Sequence, residues 1–359
     1  MNMPIVAIDA RLVGGRSTGD STYWTGLVLA FAEIRPQTRI LLFSNKERPQ
    51  EIPRVDGIEW ICVPGGSRLW SYVRFPLAAR RVRADAIHTQ YTLSPLVGRN
   101  GFTTVHDLSF LIGPEWFKPI DRAILSRSVP AAVRRAKGVF AVSETGKLEL
   151  ERLVPASVGK TVVTFNACPP WVRAVPPNEA RARVARQFGI EGPFLLTVGT
   201  WWPRKNMQLA VDATQLLAES FPHKLVVTGK EGWGGKQLSS RIKSVGYVSN
   251  ESLCDLYSAA ELYLAPSRYE GFGIPLLEAF RCGCPVLCSS GGALPEVAAG
   301  AAAVECSWRP EDWASRLKEL LGDSSKLEHL RKEGFRREAE FSWEDTARRT
   351  LSTYFGATA

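Results

Sequence analysis

Two doubly wound α/β domains, each an open Rossmann-like parallel sheet covered on both faces by helices, are what this sequence predicts. Three observations carry that expectation. Short apolar strands alternate with helical stretches along nearly the whole chain, the pattern of a parallel sheet built from crossovers. Two such series occur, each about six strands long, and 359 residues exceed what one ordinary core accommodates. Between them lies "TFNACPPWVRAVPPNEA", residues 164–180, which is rich in proline and has no hydrophobic period.

The first series runs "PIVAIDA", "RILLFS", "IEWICVP", "AIHTQ", "FTTVHD" and "GVFAVS", with helical candidates over 22–34, 72–83 and 121–137. The second runs "FLLTVGT", "KLVVTGK", "SVGYV", "LYLAPS", "CPVLCS" and "AAAVEC", with helical candidates over 206–220, 250–260 and 311–321. The expected domains are therefore residues 1–168 and 169–342. In open α/β folds ligands bind beyond the carboxyl ends of the strands, so a cleft between two such domains is the expected site.

Composition narrows the class. Hydrophobic residues make up 45% and charged residues 23%, an ordinary globular balance. No apolar run approaches the roughly 20 residues that a membrane span requires. The opening "MNMPIVAIDARLVGG" reads as a strand and a glycine turn, not as a signal peptide. Seven cysteines occur without a CxxC pair. Cys282, Cys284 and Cys288 in "RCGCPVLCSS" read as small buried residues, since no histidine is near to complete a zinc set. A reducing cytoplasm fits that usage. The net charge of +9, from 45 basic and 36 acidic residues, points to anionic partners: nucleic acid, lipid headgroups or phosphorylated small molecules.

The densest chemistry lies in "SRYEGFGIPLLEAFRCGCP", residues 267–285. Gly271 and Gly273 punctuate a loop, and Pro275 suits the first turn of a helix, where a backbone N–H lacks a partner anyway. Glu270 then lies before the helix and Glu278 about one turn inside it. Both could simply complement the helix dipole. A glycine loop feeding a helix N-terminus also suits an anion. Carboxylates beside such a site make sense as acceptors for hydroxyl hydrogens. A ligand with phosphate in the middle and polyols on either side satisfies all of these, and a nucleotide sugar has that layout. "VGTWWPRKN", residues 198–206, places Arg204 and Lys205 at a strand's carboxyl end, where a planar fork and a mobile point charge would serve phosphate. No DxD sequence occurs, so these cations would replace a metal at the leaving group. "FTTVHDLSF" ends a strand of the first half with His106.

Taken together, "TVHDLSF", "VGTWWPRKN", "PSRYEGFGIPLLEAFRCGCPV", "GGALPEV" and "FSWEDTARRTL" resemble the retaining GT-B glycosyltransferases of family GT4, whose mannosyltransferase-like members often carry the "RKN" form. The resemblance implies a GT-B fold with the cleft between its domains. It implies that Glu278 binds the ribose diol and that Glu270 holds the donor sugar. The N–H groups of Gly271, Phe272, Gly273 and Ile274 would run along the sugar and phosphates. Arg204 and Lys205 would neutralise the departing diphosphate, and His106 would contact the donor sugar. Gly246, Tyr247 and Val248 match the turn where the nucleobase rests, and a last helix within 343–359 would cross back to the first domain. No cofactor or metal is implied; the nucleoside diphosphate sugar, GDP-mannose or a UDP-sugar, is the donor substrate. The acceptor would be a glycan or a lipid-linked saccharide.

The chain departs from that family at one place. Members often show T-G-I-G-R-Y after the first strand, and here Thr18, Gly19, Asp20, Ser21, Thr22 and Tyr23 stand instead. Ser21 is expected to crowd the phosphate approach and Asp20 to repel it, with Gly14 and Gly15 taking over. Trp201 and Trp202 replace smaller or acidic residues; one is expected to pack and the other to line a pocket. Residues 67–83 mix Arg68, Arg74, Arg80, Arg81 and Arg83 with Trp70, Tyr72 and Phe75, and a second basic helix carries Arg122, Arg127, Arg134, Arg135 and Lys137. These suggest contact with an anionic membrane surface by a cytoplasmic, peripheral protein; the competing reading is a solvated face with the aromatics in the core. No nucleic-acid motif accompanies them. The same fold serves nucleotide-sugar epimerases, and a degenerate copy would be a non-catalytic partner subunit. Those are the alternatives to transfer.

Overall fold

The computed structural model describes residues 3–15, 18–66, 70–217, 221–230 and 240–356. Arg68 and the end of the expected helix 206–220 lie outside these. The chain divides into two compact units, Met1–Asn166 with Ser342–Ala359, and Ala167–Phe341. The boundaries fall at Asn166/Ala167 and Phe341/Ser342, against 168/169 and 342/343 expected from the sequence.

The first unit is built on seven parallel strands: β1 (Ile5–Asp9), β2 (Arg39–Ser44), β3 (Ile58–Cys62), β4 (Ala86–Gln90), β5 (Gly101–Val105), β6 (Gly138–Ala141) and β7 (Thr161–Val163). Their order is β3-β2-β1-β4-β5-β6-β7, so the winding reverses between β1 and β4. The strands are nearly continuous apolar runs because helices cover both faces. The seventh strand, Thr161–Val163, is absent from the sequence expectation; three residues carry no periodicity to read.

Helix Gly19–Ile34 starts where the Thr18 side chain accepts from the Ser21 N–H, and it ends at Arg35 in the left-handed region. The expected helix 72–83 is two elements, a π-helical turn Trp70–Arg74 and an α-helix Phe75–Arg81. Pro76 is the cause. It has no N–H to offer the Tyr72 carbonyl one turn back, and the Ser94 hydroxyl donates there instead, at 2.6 Å. Trp70 and Phe75 stack, fully buried, and Tyr72 is exposed. Helix Trp343–Phe355, capped by the Ser342 hydroxyl, packs on Gly26 so closely that a Cβ there would lie 2.3 Å from the Trp343 ring. Its Tyr354 hydroxyl meets His88 Nδ1 at 2.6 Å in a fully buried network with Thr104 and Tyr23.

The second unit has six parallel strands: β8 (Phe194–Val198), β9 (Lys224–Thr228), β10 (Ile242–Gly246), β11 (Leu262–Ala265), β12 (Val286–Ser289) and β13 (Ala303–Glu305). The order β10-β9-β8-β11-β12-β13 reverses between β8 and β11. β10 begins two residues before the expected "SVGYV". Pro177–Ala180, expected within the linker, instead open helix Pro177–Phe188 with the proline in its first turn. Cys282, Cys284 and Cys288 are buried. Trp201 packs against the core formed by Leu195, Leu209 and Trp313, while Trp202 is half exposed.

Candidate active site

In the second unit the winding reverses between β8 and β11, and the loops after those two strands carry the charged residues. After β8, a 3₁₀ turn Pro203–Lys205 leads through Asn206, held at φ 48°, into helix Met207–Leu216. Asparagine tolerates that left-handed conformation better than other side-chain-bearing residues, which gives the "RKN" run a backbone reason. The loop after β11 is tied to this turn by the Arg268 N–H, which donates to the Arg204 carbonyl at 2.8 Å.

Glu270 is the centre of the cluster. Lys205 Nζ donates to its Oε1 at 2.5 Å, Arg204 Nη1 to its Oε2 at 3.0 Å, and Ser267 Oγ to Oε1 at 2.6 Å. The carboxylate side chain is only 12% exposed. Burial alone would push its carboxyl up. The ammonium of Lys205 and the guanidinium of Arg204 outweigh that and, with the Lys205 and Ser267 hydrogen bonds, hold it at about 2. Arg204 Nη1 also donates to the Tyr269 carbonyl at 2.8 Å. The backbone of Glu270 is fixed from behind by Gly292: the two form a parallel bridge, and the Ala293 N–H donates to the Glu270 carbonyl at 2.9 Å. Gly292 has φ 62°, and a Cβ there would lie 2.3 Å from the Glu270 oxygen, so only glycine permits the approach.

Gly271 and Phe272 continue the loop, Phe272 buried edge-on against Phe341. Gly273, at φ 103°, is the cap residue from which helix Ile274–Arg281 starts, with Pro275 in its first turn. Glu278 faces inward from this helix, and the Tyr257 hydroxyl donates to its Oε2 at 3.0 Å. Burial raises its carboxyl to about 7, against the pull of the Tyr257 hydrogen bond and of Lys205. Gly246, Tyr247 and Val248 form the turn at the end of β10, two strands from β8. Thr228 Oγ1 fixes the Gly246 carbonyl at 2.9 Å, and the Tyr247 ring is exposed under Lys230 Nζ at 5.8 Å. Among the described residues no group of three or more His, Cys, Asp or Glu side chains is disposed to hold a metal ion.

In the first unit His106 follows β5. Its Nε2 lies 3.2 Å from Gln90 Oε1, and Tyr23 meets its ring edge-on at 4.9 Å. Gly14, at φ 64°, and Gly15 form the turn after β1, with the Gly14 N–H donating to Thr25 Oγ1. Ser21, expected to crowd this approach, is tied to the loop itself. Ser21 is buried and its Oγ donates to the Leu12 carbonyl at 2.8 Å, so the side chain braces the loop. Asp20 accepts from Gln90 Nε2 at 3.2 Å.

The family model described as "Glycosyl transferases group 1" matches residues 180–337, all inside the second unit. The chain is 30% identical over 366 residues to the O-antigen chain mannosyltransferase B of Escherichia coli, covering 94% of this chain and 96% of that one. It belongs to the group 1 glycosyltransferases. Sucrose-phosphate synthase from Thermosynechococcus elongatus shares the fold with a TM-score of 0.78 at 22% identity, covering 99% of this chain and all of that one. Anabaena HepE, solved in complex with UDP and glucose, does so with a TM-score of 0.73 at 18% identity and the same coverage. The architecture is GT-B, and the comparisons favour neither the epimerase nor the non-catalytic partner.

For this glycosyltransferase, sequence reasoning missed three residues that build the second unit's cluster, Ser267, Tyr257 and Gly292, and Gln90 beside His106 in the first unit. Ser267 sat inside the quoted run with no role, although a hydroxyl three residues before a buried carboxylate is a readable signal. Tyr257, the partner of Glu278, lay unremarked on helix Asn250–Ala259. Gly292 was visible only as part of "GGALPEV". Gln90 ends a strand and gave no signal.

Proposed function

We propose that this glycosyltransferase moves a hexosyl group, mannosyl in preference to others, from a nucleoside diphosphate donor to a hydroxyl of a glycan or lipid-linked saccharide, with retention and without a metal. The observation that carries this reading is the convergence of Arg204, Lys205 and Glu270 on the loops after β8 and β11. The trio bears one net positive charge. A diphosphate arriving beside it competes with Glu270 for the two cations, and the charge that develops as the sugar–phosphate bond breaks strengthens their hold.

Glu270, ionised and paired to two cations, is a poor nucleophile and has no proton to give. Its remaining lone pairs suit sugar hydroxyls. No side chain is then assigned to covalent attack; the acceptor hydroxyl approaches on the leaving-group side, and the departing phosphate oxygen takes its proton. Glu278, with Oε2 occupied by Tyr257, offers Oε1 to a ribose diol, and Tyr247 offers an exposed ring to a base. The mannosyl preference, and with it GDP as the expected nucleotide, rests on the Escherichia coli relative; a nucleoside diphosphate as ligand is supported by the HepE complex with UDP.

The test is thermal shift with GDP, UDP, ADP and dTDP, each with and without EDTA. GDP is expected to stabilise by about 2.7 kcal/mol at 100 times its Kd, unchanged by EDTA. A shift with UDP alone would move the donor to glucose-type sugars, and abolition by EDTA would sink metal independence. No shift with any nucleotide would overturn the donor reading. Retention is read from the anomeric configuration of the product by NMR.

An anionic surface as a second partner has its own observation. Helix Pro119–Arg135 exposes Ile120 and Ile124 beside Arg122 and Arg127. Apolar side chains among arginines suit a headgroup boundary. Sedimentation with anionic liposomes at low salt is expected, and its absence would remove this partner. Among the described residues no helix is long and apolar enough to cross a membrane.

A further inference from the structure

The reading above leaves Asp20 without a part, although it is one of the residues by which this chain departs from its family. Its partner is Gln90, the last residue of β4, which flanks the reversal of strand order in the first sheet. The Trp24 indole Nε1 lies 2.5 Å from Gln90 Oε1. An indole nitrogen can only donate, so the amide must present its oxygen there. The amide nitrogen then faces Asp20, whose Oδ2 accepts it at 3.2 Å. The same amide oxygen lies 3.2 Å from His106 Nε2. An amide oxygen can only accept, so Nε2 must carry a hydrogen. The neutral imidazole is therefore the Nε2–H tautomer, and its lone pair is on Nδ1.

Nδ1 receives no hydrogen bond from any described residue. The His106 side chain is nonetheless 9% exposed, walled by Tyr23 at 4.9 Å and Tyr91 at 5.6 Å between ring centroids. Nδ1 is not among the fully buried polar atoms that lack a partner, so it opens to solvent, where a ligand hydroxyl can replace water as its donor. Sugars bring hydroxyl donors.

We propose that Gln90, pinned by Trp24 and Asp20, is a positioning residue that holds His106 as the Nε2–H tautomer, so that Nδ1 accepts a hydrogen bond from a hydroxyl of the sugar substrate. The proposal rests on the reading of His106 as a sugar contact. Asp20 acts on the histidine through the amide N–H that it receives and also directly, its Oδ1 lying 4.0 Å from His106 Nε2, where a negative charge favours the hydrogen on that nitrogen.

The tautomer is read directly from long-range ¹H–¹⁵N spectra of the substrate-free protein. Wild type should show His106 protonated at Nε2 with Nδ1 bare. Gln90→Leu should give mixed tautomers and lower kcat/KM for the donor roughly 10- to 100-fold, the scale of a misplaced group. Its Kd for a nucleoside diphosphate should stay unchanged. Asp20→Asn keeps an acceptor for Gln90 but removes the charge 4.0 Å from Nε2, so it should hold the tautomer while lowering kcat/KM by less than Gln90→Leu does. Asp20→Ala, at a partly exposed position, should move both in the direction of Gln90→Leu by less, and it covers the case in which that variant does not fold. Gln90→Leu added to His106→Ala should be no worse than His106→Ala alone. A wild-type ring protonated at Nδ1, an unchanged tautomer in Gln90→Leu, or additive losses in the double variant would each overturn the proposal. The spectra need no substrate, so they separate this idea from the functional reading: full transfer by His106→Ala would remove the sugar contact while leaving the tautomer as found.

Discussion

The two units share one plan, a parallel sheet whose winding reverses near its middle, but they furnish the carboxyl ends of their strands differently. In the second unit the loops after β8 and β11 bring full charges together: Arg204 and Lys205 each lie within 3.0 Å of a Glu270 carboxylate oxygen. In the first unit the corresponding ends carry a mostly neutral relay, Trp24 to Gln90 to His106, walled by aromatic rings. On the proposed reading, a cation-rich edge answers a diphosphate, whereas a relay ending in one open acceptor answers a hydroxyl. Similar sheets would then support different ligand chemistry through their loops alone.

The largest expected effect comes from removing the charge that sets the second edge apart. Lys205→Ala should lower kcat by about 10²- to 10³-fold, the scale of losing one preorganised transition-state contact. The fold should survive, because Arg204 still pairs with Glu270. Steady-state kinetics beside a circular-dichroism melt would check both parts, and normal turnover would erase the distinction between the edges. Glu270→Gln, which removes the negative charge facing both cations, should bind free diphosphate more tightly while transferring less, since the competing carboxylate is gone.

Glu278 sharpens the same contrast through pH. Its carboxyl is raised from an ordinary 4.5 to about 7 by burial, so above pH 7 the folded protein must keep a charge in a desolvated place. The unfolded chain ionises freely from about pH 4.5, so stability falls as pH rises between the two values, by about 3 kcal/mol in all. Glu278→Gln keeps the hydrogen bond from Tyr257 without the charge. It should raise the melting temperature of the second unit by several degrees at pH 8 and leave it unchanged at pH 4. It should also weaken nucleotide binding, and a variant that binds normally would show that the ribose is held elsewhere.

In the first unit the pH dependence has the opposite sign. His88 is sealed between Trp24, Phe140 and Tyr354, and burial, with some help from His106, lowers it to about 3. It stays neutral in the fold, whereas the unfolded chain takes up a proton below about pH 6.5. Its contribution is complete above pH 6.5 and is lost as pH falls toward 3, at about 1.4 kcal/mol per pH unit. The first unit should therefore melt about 2 kcal/mol less stable at pH 5 than at pH 7 from this group. His88→Gln should flatten that slope in calorimetry, and an unchanged slope would assign it to other groups.

The difference between the edges also explains what could be read in advance. Glu270, Glu278 and the Arg204–Lys205 pair fall in two contiguous runs, each a loop entering a helix, so spacing and residue type sufficed to single them out. Trp24 and Gln90 are 66 positions apart, and Gln90 and His106 are 16 apart. Nothing in a glutamine at a strand end announces that it will meet an indole. The alternation of strands and helices was legible because every crossover repeats it. The break at Trp70–Arg74 was not, because it depends on a hydroxyl at Ser94 that replaces the N–H missing from Pro76.

The smallest expected effect concerns Ser21, which the sequence casts as an obstacle to the donor phosphate and the structure casts as a brace. It lies in the first turn of helix Gly19–Ile34 and its hydroxyl ties that turn to the Leu12 carbonyl. Ser21→Gly removes one hydrogen bond and adds backbone freedom to a helix start, each worth about 1 kcal/mol or less. If the side chain is a brace, the variant melts a few degrees lower and uses its donor no better. If it is an obstacle, restoring the family's glycine raises kcat/KM for the donor, and the first edge must then approach phosphate as well as hydroxyl. That second outcome would dissolve the division of chemistry between the two edges, which is why so small a change is worth measuring.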